Sequence, residues 1–332
     1  MSADDHRAFA PGDDPELAES GVSIIVVTYK NAAHIGSCVA AARRAAPAVP
    51  TELIIVDNAS GDDTAAAAKD AAPDAQVIEH HRNGGFADGC HVGAAHAHGR
   101  RLLFLNPDAV PAPGSVDALL DCARRHPDAG IVGGRCLRPD GSVDPRSWWG
   151  RPSLWSAFCF GLLLSSAFPG SPRFDPESPV PWSGDPDEER RVPIVTGAFM
   201  LVDRALWDRL EGFDPAFFMY GEDADLCLRA AAVGRRPLVT ARAAFEHSGG
   251  ASSTSPRKLR LLFTGKVTVV RRHLPRGRRS MGVRLLLCGV LLRAVIGRVL
   301  TARSERQGRP AVAATDWRAL WAARREWRNG WQ

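Results

Sequence analysis

Three carboxylic acids stand within four positions in the second half of the chain, at Glu222, Asp223 and Asp225. Like charges that close repel one another, and the repulsion raises the pKa of a carboxyl group towards the range of a general base. An acidic first turn of a helix has the same appearance, because the helix dipole favours negative charge there. The two interpretations are compatible, so the segment is a candidate proton acceptor.

Other polar residues suit ligand or metal binding. An ionised carboxylate at Asp57 only accepts hydrogen bonds, which suits the N3–H of a pyrimidine. The turn at Asn83-Gly84-Gly85 allows a close approach of backbone to ligand. Asp108 offers the oxygen ligands that hard divalent cations prefer, and His247 is a further candidate metal ligand. Each residue taken alone also fits an ordinary turn, cap or structural role.

Alternating strands and helices position these residues in the first half of the chain. Short apolar runs predict buried strands at 22–28, 53–57, 76–79 and 101–105. The segments between them predict helices at 32–46, from 62 onward and at 87–98. This order is typical of an α/β fold with a Rossmann-like, mostly parallel sheet flanked by helices.

Polar residues follow all four predicted strands, at Thr28, Asp57, Asn83 and Asn106-Pro107-Asp108. The carboxyl ends of parallel strands share one edge of the sheet, where open α/β sheets bind ligands. The sequence therefore predicts one crevice lined by these residues. Thr28-Tyr29-Lys30-Asn31 stands where a dinucleotide-binding fold has its Gly-rich loop, which argues against that class.

The second half is less regular. A strand is predicted at 195–202 and a helix at 222–233. The apolar segment 154–168, at about fifteen residues too short to span a bilayer, predicts a buried helix rather than an interfacial one. The apolar segment 283–300 contains three arginines, which argue against a spanning helix. The arginines do not share one helical face, which also argues against a clean amphipathic surface helix. We therefore expect a C-terminal helix of partly apolar character that touches a membrane.

The ends of the chain differ in composition from the middle. The first twenty residues are acidic and lack the apolar core of a signal peptide, so we predict a disordered tail on a cytoplasmic protein. A nucleotide-binding catalytic domain is predicted at 21–253 and a basic, helical region at 254–332. Seven cysteines without a Cys-x-x-Cys pair favour reduced thiols over disulfides or a zinc site.

The net charge is +5, and the excess of arginine and lysine is concentrated between 257 and 309. Such a region suggests an anionic partner. The basic residues stand among Leu and Val without interleaved aromatic residues, which favours a membrane surface over nucleic acid. A basic face that is simply solvated fits the composition equally well. If the partner is a membrane surface, the protein lies peripherally on the inner face of the cell membrane.

The sequence resembles the family-two glycosyltransferases of the GT-A fold, and specifically their rhamnosyltransferase-like bacterial branch. The resemblance covers about residues 22 to 253 and is carried by strings in the family's order. These strings are VVTYKN at 26–31, IVDNAS at 55–60, NGGFA at 83–87, LNPD at 105–108, TGAFML at 196–201, GFD at 212–214, FFMYGEDADLCLR at 217–229, and His247.

The resemblance implies a role for each matching residue in the donor site. Thr28, Tyr29 and Asp57 would hold the nucleotide, and Asn83 with Gly84 would line the nucleotide-sugar site.

The family's metal-binding Asp-x-Asp motif falls on Asn106-Pro107-Asp108, so Asp108 would bind Mg²⁺ or Mn²⁺ with His247 as an additional ligand. Asn106 replaces the first aspartate, which removes one charge from the metal site. Asp223 would be the catalytic base, and Glu222 beside it would orient the acceptor or the loop.

The reaction implied is the inverting transfer of a sugar from a nucleoside-diphosphate donor to a hydroxyl group. The matching strings favour dTDP-L-rhamnose as the donor, while UDP-sugars use the same kind of crevice. A cell-envelope or polyprenyl-linked glycan is the expected acceptor. The alternatives are a sugar nucleotidyltransferase, which usually has a Gly-rich basic loop after the first strand, and a non-catalytic glycan- or membrane-binding scaffold.

Overall fold

The structure, a computed structural model, describes residues 9–10, 12, 14–46, 48–247, 255–306 and 316–332. The described residues fall into two compact units. Unit 1 comprises residues 1–149, 181–218 and 222–249, and unit 2 comprises residues 150–180, 219–221 and 250–332. The segment 150–180 thus groups with the C-terminal helices by its contacts, while the predicted catalytic domain at 21–253 stays a prediction.

The N-terminal segment contains one helix where the sequence predicts disorder. Residues 1–8, 11 and 13 lie outside the described residues, but Pro15–Ser20 form helix α1. The Asp14 side chain accepts a hydrogen bond from the backbone N–H of Glu16, and Leu17 is buried. A cap and one buried leucine order this turn despite its acidic composition.

A nine-stranded sheet forms the centre of unit 1. In spatial order its strands are β3 (Gln76–Glu79), β2 (Thr51–Asp57), β1 (Val22–Thr28), β4 (Arg101–Leu105), β10 (Phe199–Asp203), β6 (Ile131–Leu137), β11 (Leu238–His247) and β5 (Ala109–Pro111), with β8 (Glu189–Arg191) also paired to β11. A separate pair is formed by β7 (Trp148–Trp149) and β9 (Ile194–Val195).

The predicted mostly parallel sheet is confirmed, with one reversal inside it. β3, β2, β1 and β4 run parallel to one another, and β6 runs parallel to β11. β10 lies antiparallel between β4 and β6. The single strand predicted at 195–202 is two strands in the structure, β9 and β10, separated by Thr196–Ala198.

Helices cover the sheet of unit 1, at α2 (Ala32–Ala45), α3 (Thr64–Ala71), α4 (Gly85–Ala95), α5 (Ser115–Arg125), α8 (Arg204–Arg209) and α9 (Glu222–Ala232). A turn of 3₁₀ helix spans Pro145–Ser147. The strands are apolar on both faces because both faces are packed; every residue of β1 and β2 is buried. The core of unit 1 contains Ile24, Ile55, Leu103, Phe199 and Phe245.

Unit 2 is helical. Its helices are α6 (Leu154–Gly161), α7 (Leu164–Ala167), α10 (Pro256–His273), α11 (Arg276–Arg306), α12 (Trp317–Ala322) and α13 (Arg324–Trp327). They pack around a core that includes Phe263, Leu286 and Trp327. Among the described residues, none of the helices is long and apolar enough to cross a membrane.

The buried helix predicted at 154–168 is only partly correct. The chain breaks into α6 and α7 at Leu163, whose φ is +63°. Cys159 is buried on the inner side, whereas Trp155 and Leu162 are exposed. A left-handed residue follows α6 after about two turns, which is why the predicted single helix is two helices in the structure.

All seven cysteines are free thiols, and six of them are buried. Burial, together with the nearby charge of Asp108, raises the pKa of the Cys38 thiol to about 12. Cys288 in α11 is the partly exposed member of the set.

Candidate functional site

The ends of β1 and β2 lie side by side, with Thr28 opposite Asp57 in the parallel register. The Asp57 carboxylate is buried and accepts hydrogen bonds from the backbone N–H of Ser60, at 3.1 Å, and from the Ser60 hydroxyl. The same hydroxyl accepts a bond from the backbone N–H of Lys30 at 2.9 Å. Ser60 therefore joins the loops after β1 and β2, and Asp57 keeps lone pairs for a ligand donor.

The two nucleotide-binding candidates after β1 differ in accessibility. Thr28 is fully buried, and its hydroxyl has no hydrogen-bond partner among the described residues. Tyr29 is 45% exposed, and the Lys30 ammonium lies 5.5 Å from the centre of its ring. In this conformation a ligand can reach Tyr29, while the Thr28 hydroxyl would have to become exposed first.

Asn58 holds the turn that precedes α4. Its amide nitrogen donates to the Asn83 side-chain oxygen at 3.2 Å and to the Gly85 carbonyl at 2.9 Å, and its amide oxygen accepts from the Gly84 N–H at 3.3 Å. The Asn83 oxygen also accepts from the Gly85 N–H at 3.1 Å. The turn thus lies beside the end of β2.

Gly85 is required by geometry at the start of α4. Its φ is +87°, and a β-carbon there would lie 1.9 Å from the carbonyl oxygen of Phe218. The next residue, Phe86, donates its backbone N–H to the same oxygen at 2.9 Å. The glycine allows the segment that precedes the acidic helix to approach the turn after β3.

Asp108 and His247 meet although they are 139 positions apart. The antiparallel pairing of β11 with β5 places His247 opposite Ala109. The His247 Nε2 atom lies 3.2 Å from Asp108 Oδ1 and 3.4 Å from the amide nitrogen of Asn106. Both side chains of the pair are partly exposed. Burial opposes ionisation of Asp108, but the hydrogen bond and charge of His247 outweigh it, and the pKa of Asp108 is lowered.

Asp223 lies close to the same edge of the sheet. One carboxylate oxygen accepts from the backbone N–H of Gly197 at 3.0 Å, and the other accepts from Ala224 at 2.8 Å. The neighbouring Ala198 carbonyl accepts from the backbone N–H of Asn106 at 3.0 Å. Two hydrogen bonds, one to each of the adjacent residues Gly197 and Ala198, therefore connect Asp223 with the Asn106–Asp108 segment.

The three clustered acids have three different environments. Glu222 is buried, and burial, with the charge of Asp223 as a second cause, raises its pKa to about 8. Its Oε2 atom has no hydrogen-bond partner among the described residues. Burial also raises the pKa of Asp223, against three backbone hydrogen bonds that lower it. Asp225 is ion-paired with Arg229 at 2.6 Å.

The Asp225–Arg229 pair is structural. Arg229 also donates to the carbonyl oxygens of Leu210 and Gly212, at 2.7 and 2.8 Å. It thereby fixes the loop that leads to Phe213, which is fully buried. Of the three acids that the sequence groups together, Asp223 and Glu222 remain as candidates for the chemistry.

Asp57, Asn83, Asn106, Asp108, Asp223 and His247 thus belong to one unit, at one edge of its sheet. Sequence reasoning missed the residues that hold them there, namely Asn58, Ser60 and Gly197. Asn58 and Ser60 stand in a recognisable polar string after β2. The sequence shows Gly197 only as part of the Thr196-Gly197-Ala198 string. Its contact with Asp223 arises from the fold and could not be predicted.

Asp108 and His247 together supply one carboxylate and one imidazole towards a metal. The described residues contain no group of three or more His, Cys, Asp or Glu side chains that could hold an ion. Mg²⁺ and similar hard cations commonly take one or two protein ligands, and substrate phosphates and water complete their shell. The pair fits a divalent cation that is shared with a diphosphate, and Asn106 adds no charge to it.

Two family models match the chain. "Glycosyl transferase family 2" matches residues 23–166, and "Glycosyltransferase like family 2" matches residues 185–272. Together they include every residue of the candidate site.

Curated relatives are similar over parts of the chain. An "N-acetylglucosaminyl-diphospho-decaprenol L-rhamnosyltransferase" of Mycobacterium tuberculosis is 30% identical over 223 residues, which cover 61% of this chain and 68% of the relative. An "O-antigen biosynthesis protein RfbC" of Myxococcus xanthus is 33% identical over 163 residues, which cover 48% of this chain and 12% of the relative.

Two solved structures share the fold. A mannosyltransferase from Pyrobaculum calidifontis in complex with GDP-Man and Mn²⁺ superimposes with a TM-score of 0.54 and 17% identity, covering 92% of this chain and 84% of its own. GalNAc-T7 with UDP, GalNAc and Mn²⁺ superimposes with a TM-score of 0.54 and 15% identity, covering 96% of this chain and 56% of its own. The predicted GT-A type of α/β fold is confirmed.

Proposed function

The chain belongs to the family-two glycosyltransferases, and on that premise we propose that it transfers L-rhamnose from dTDP-L-rhamnose to a lipid-linked glycan. The names of the relatives support the sugar and the acceptor class: one is a rhamnosyltransferase named for a diphospho-decaprenol acceptor, and one is an O-antigen biosynthesis protein. A UDP-sugar is the alternative donor, and a different cell-envelope glycan is the alternative acceptor.

One observation carries the proposal. Hydrogen bonds link Asp223 through Gly197 and Ala198 to Asn106, and Asn106 lies beside the Asp108–His247 pair. A proton acceptor and a pair suited to a diphosphate-bound cation therefore lie within a few residues of each other. A sugar transferase needs these two functions on either side of the anomeric carbon.

The donor nucleotide would lie against the loops after β1 and β2. Asp57 would accept the N3–H of the thymine or uracil ring, since Ser60 occupies only part of its hydrogen-bonding capacity. Thr28 lies opposite Asp57 in the paired strands, and the next residue, Tyr29, is exposed. Tyr29 would therefore contact the base. Thr28 would support the loop from within the core. Asn83 and Gly84 would line the sugar side of the site.

Asp223 would act as the base in a single displacement with inversion. As the acceptor oxygen forms its bond to the anomeric carbon, its proton passes to an Asp223 carboxylate oxygen, and the bond from the anomeric carbon to the diphosphate oxygen breaks. The two backbone N–H groups of Gly197 and Ala224 orient that carboxylate. Burial raises the pKa of Glu222 to about 8, which favours its neutral form and would reduce the negative charge beside Asp223.

Asp108 and His247 would hold the divalent cation, Mg²⁺ or Mn²⁺. Such a cation, when bound, neutralises charge on the departing diphosphate. His247 Nε2 and Asp108 Oδ1 lie 3.2 Å apart, which is close enough for both atoms to bind one ion. We also propose that the protein works peripherally at the inner face of the membrane, where a lipid-linked acceptor lies.

A donor panel tests the proposal directly. The purified chain is incubated with dTDP-L-rhamnose, UDP-sugars and GDP-sugars plus Mg²⁺ or Mn²⁺, and release of nucleoside diphosphate is measured with and without a polyprenyl-diphosphate-linked N-acetylglucosamine acceptor. Acceptor-dependent release of dTDP is the expected result. Release of pyrophosphate from a nucleoside triphosphate would indicate a nucleotidyltransferase instead, and no release from any donor would indicate a non-catalytic scaffold.

A further inference from the structure

Helix α11 carries a second apolar stripe in addition to the one that packs into unit 2. Val283, Leu286 and Val290 face the core of the unit and are buried. The second stripe is formed by residues alternately four and three positions apart: Met281, Leu285, Cys288, Leu292, Val295 and Val299. At 100° per residue these six share one face, opposite the buried one. Its ends are open to solvent, since Met281 is 48% exposed and Val299 is 60% exposed.

Helix α6 adjoins this stripe along one side. A β-carbon at Gly161 would lie 2.8 Å from the Leu285 carbonyl oxygen, and one at Gly289 would lie 2.6 Å from the Phe160 ring. Two glycines thus bring the backbones of α6 and α11 together. Because Leu285 belongs to the stripe, the outer side of α6 continues the same surface.

The outer side of α6 is aromatic. Trp155, Phe158 and Leu162 follow helical spacing and are exposed, and the rings of Trp155 and Phe158 stack with centroids 5.4 Å apart. We call the surface formed by these three residues and the six-residue stripe of α11 the α6–α11 face. A patch that combines exposed aromatic and aliphatic side chains over two helices is unusual on a protein that stays in water.

The charge around the α6–α11 face is positive. Helix α11 contains eight arginines, and Glu305 is its single acidic residue. Arg284 and Arg298 are exposed and follow helical spacing on the side of the stripe away from Gly289 and α6. A second copy of the helix would bring these arginines together, whereas anionic headgroups would neutralise them.

We propose that the α6–α11 face lies on the surface of an anionic lipid bilayer, with its apolar side chains among the acyl chains and Arg284 and Arg298 at the headgroups. The inference rests on the proposed function only in that a lipid-linked acceptor would be found at such a surface. The contacts that carry it lie within unit 2 and include no residue of the candidate catalytic site.

Vesicle binding by matched variants tests the α6–α11 face. The full chain is titrated with vesicles of phosphatidylcholine alone and of phosphatidylcholine mixed with phosphatidylglycerol. We expect binding to the mixed vesicles that weakens with salt. Val299→Asp should weaken it about tenfold because a charge replaces an apolar contact. Val143→Asp, an exposed valine of unit 1, should bind as the parent does. Arg284→Gln with Arg298→Gln should lose about fivefold per arginine on the mixed vesicles.

Equal binding by Val299→Asp and Val143→Asp, at matched thermal stability, would overturn the proposal. So would a concentration-dependent dimer, seen by sedimentation, that Val299→Asp dissociates. Nucleoside diphosphate release from a soluble donor, measured on the same samples, separates the two proposals. Vesicle binding without nucleoside diphosphate release would contradict the proposed donor chemistry and support membrane binding by the α6–α11 face. Nucleoside diphosphate release without vesicle binding would support the donor chemistry and contradict membrane binding by that face.

Discussion

At the scale of single residues, Glu222 and Asp223 show how one helix turn gives adjacent carboxyl groups different environments. Glu222 points into the protein and gains no hydrogen bond at Oε2 among the described residues, so burial favours its neutral form. Asp223 is partly exposed and is oriented by two backbone N–H groups. The sequence predicts the cluster of acids, but which of them is accessible depends on the direction of each side chain from α9.

Replacing Asp223 by Asn should abolish turnover while donor binding persists. The amide still accepts from Gly197 but no longer takes a proton, so kcat should fall by about 10²–10⁴-fold. Asp225→Asn is the matched control, since it removes a carboxylate of the same helix that pairs with Arg229. The control should lower the melting temperature and keep kcat per folded molecule. An Asp223→Asn enzyme with a near-normal rate would exclude this residue as the base.

Replacing Glu222 by Gln should leave activity at pH 7 nearly unchanged and flatten the dependence of stability on pH. A folded pKa of about 8, above the ordinary value of 4.5, means that the native state binds the extra proton. The stabilising contribution of protonated Glu222 is therefore fully present below pH ~4.5 and is lost as the pH rises through about 8, by up to about 5 kcal/mol.

Melting temperatures across that pH range measure the effect. The parent should lose stability with rising pH more steeply than Glu222→Gln does. Parallel curves for the two proteins would show that Glu222 ionises normally in the folded state.

At the scale of elements, the turns after the strands contribute more of the candidate site's residues than the strands themselves. The sequence predicts β1, β3 and β4 with their observed limits, and the helix predicted at 87–98 forms at Gly85–Ala95. It does not predict the contacts that assemble the turns, such as Asn58 with Asn83, because polar side chains can satisfy one another in many arrangements. Nor does local patterning reveal that β10 runs antiparallel between parallel strands.

Replacing Gly85 by Ala should destabilise unit 1 by about 2–4 kcal/mol, because a left-handed backbone and a clash with the Phe218 carbonyl act together. Gly61→Ala is the matched control, with φ +66° and nothing within 4 Å of the added β-carbon. It should cost about 1 kcal/mol. Chemical denaturation of both variants gives the comparison, and equal losses would mean that the Phe218 contact adds nothing.

At the scale of the whole molecule, strand order brings distant residues together. Asp108 and His247 meet because β11 crosses to the far side of the sheet and pairs with β5. Neither composition nor spacing contains that register, and only the resemblance to a family indicated the pair beforehand. The sheet itself was predictable from alternating patterns, since burial on both faces leaves an apolar signature in every central strand.

Removing divalent metal should abolish transfer. Excess chelator, or Asp108→Ala, should lower nucleoside diphosphate release by at least about 10²-fold, since Asp108 and His247 are the two protein ligands proposed for the cation. Asp140→Ala removes an exposed acid of the same unit and should have no effect. Full activity in excess chelator would leave Asp108 and His247 without the proposed role.

The distribution of thiols has a practical consequence. Six cysteines are buried, where a labelling reagent cannot reach them, and the seventh, Cys288, stands in the middle of the outer stripe of α11. The natural chain is therefore ready for single-site labelling with a polarity-sensitive fluorophore. A blue shift in its emission upon addition of liposomes would show that the side chain at position 288 has moved from water into lipid.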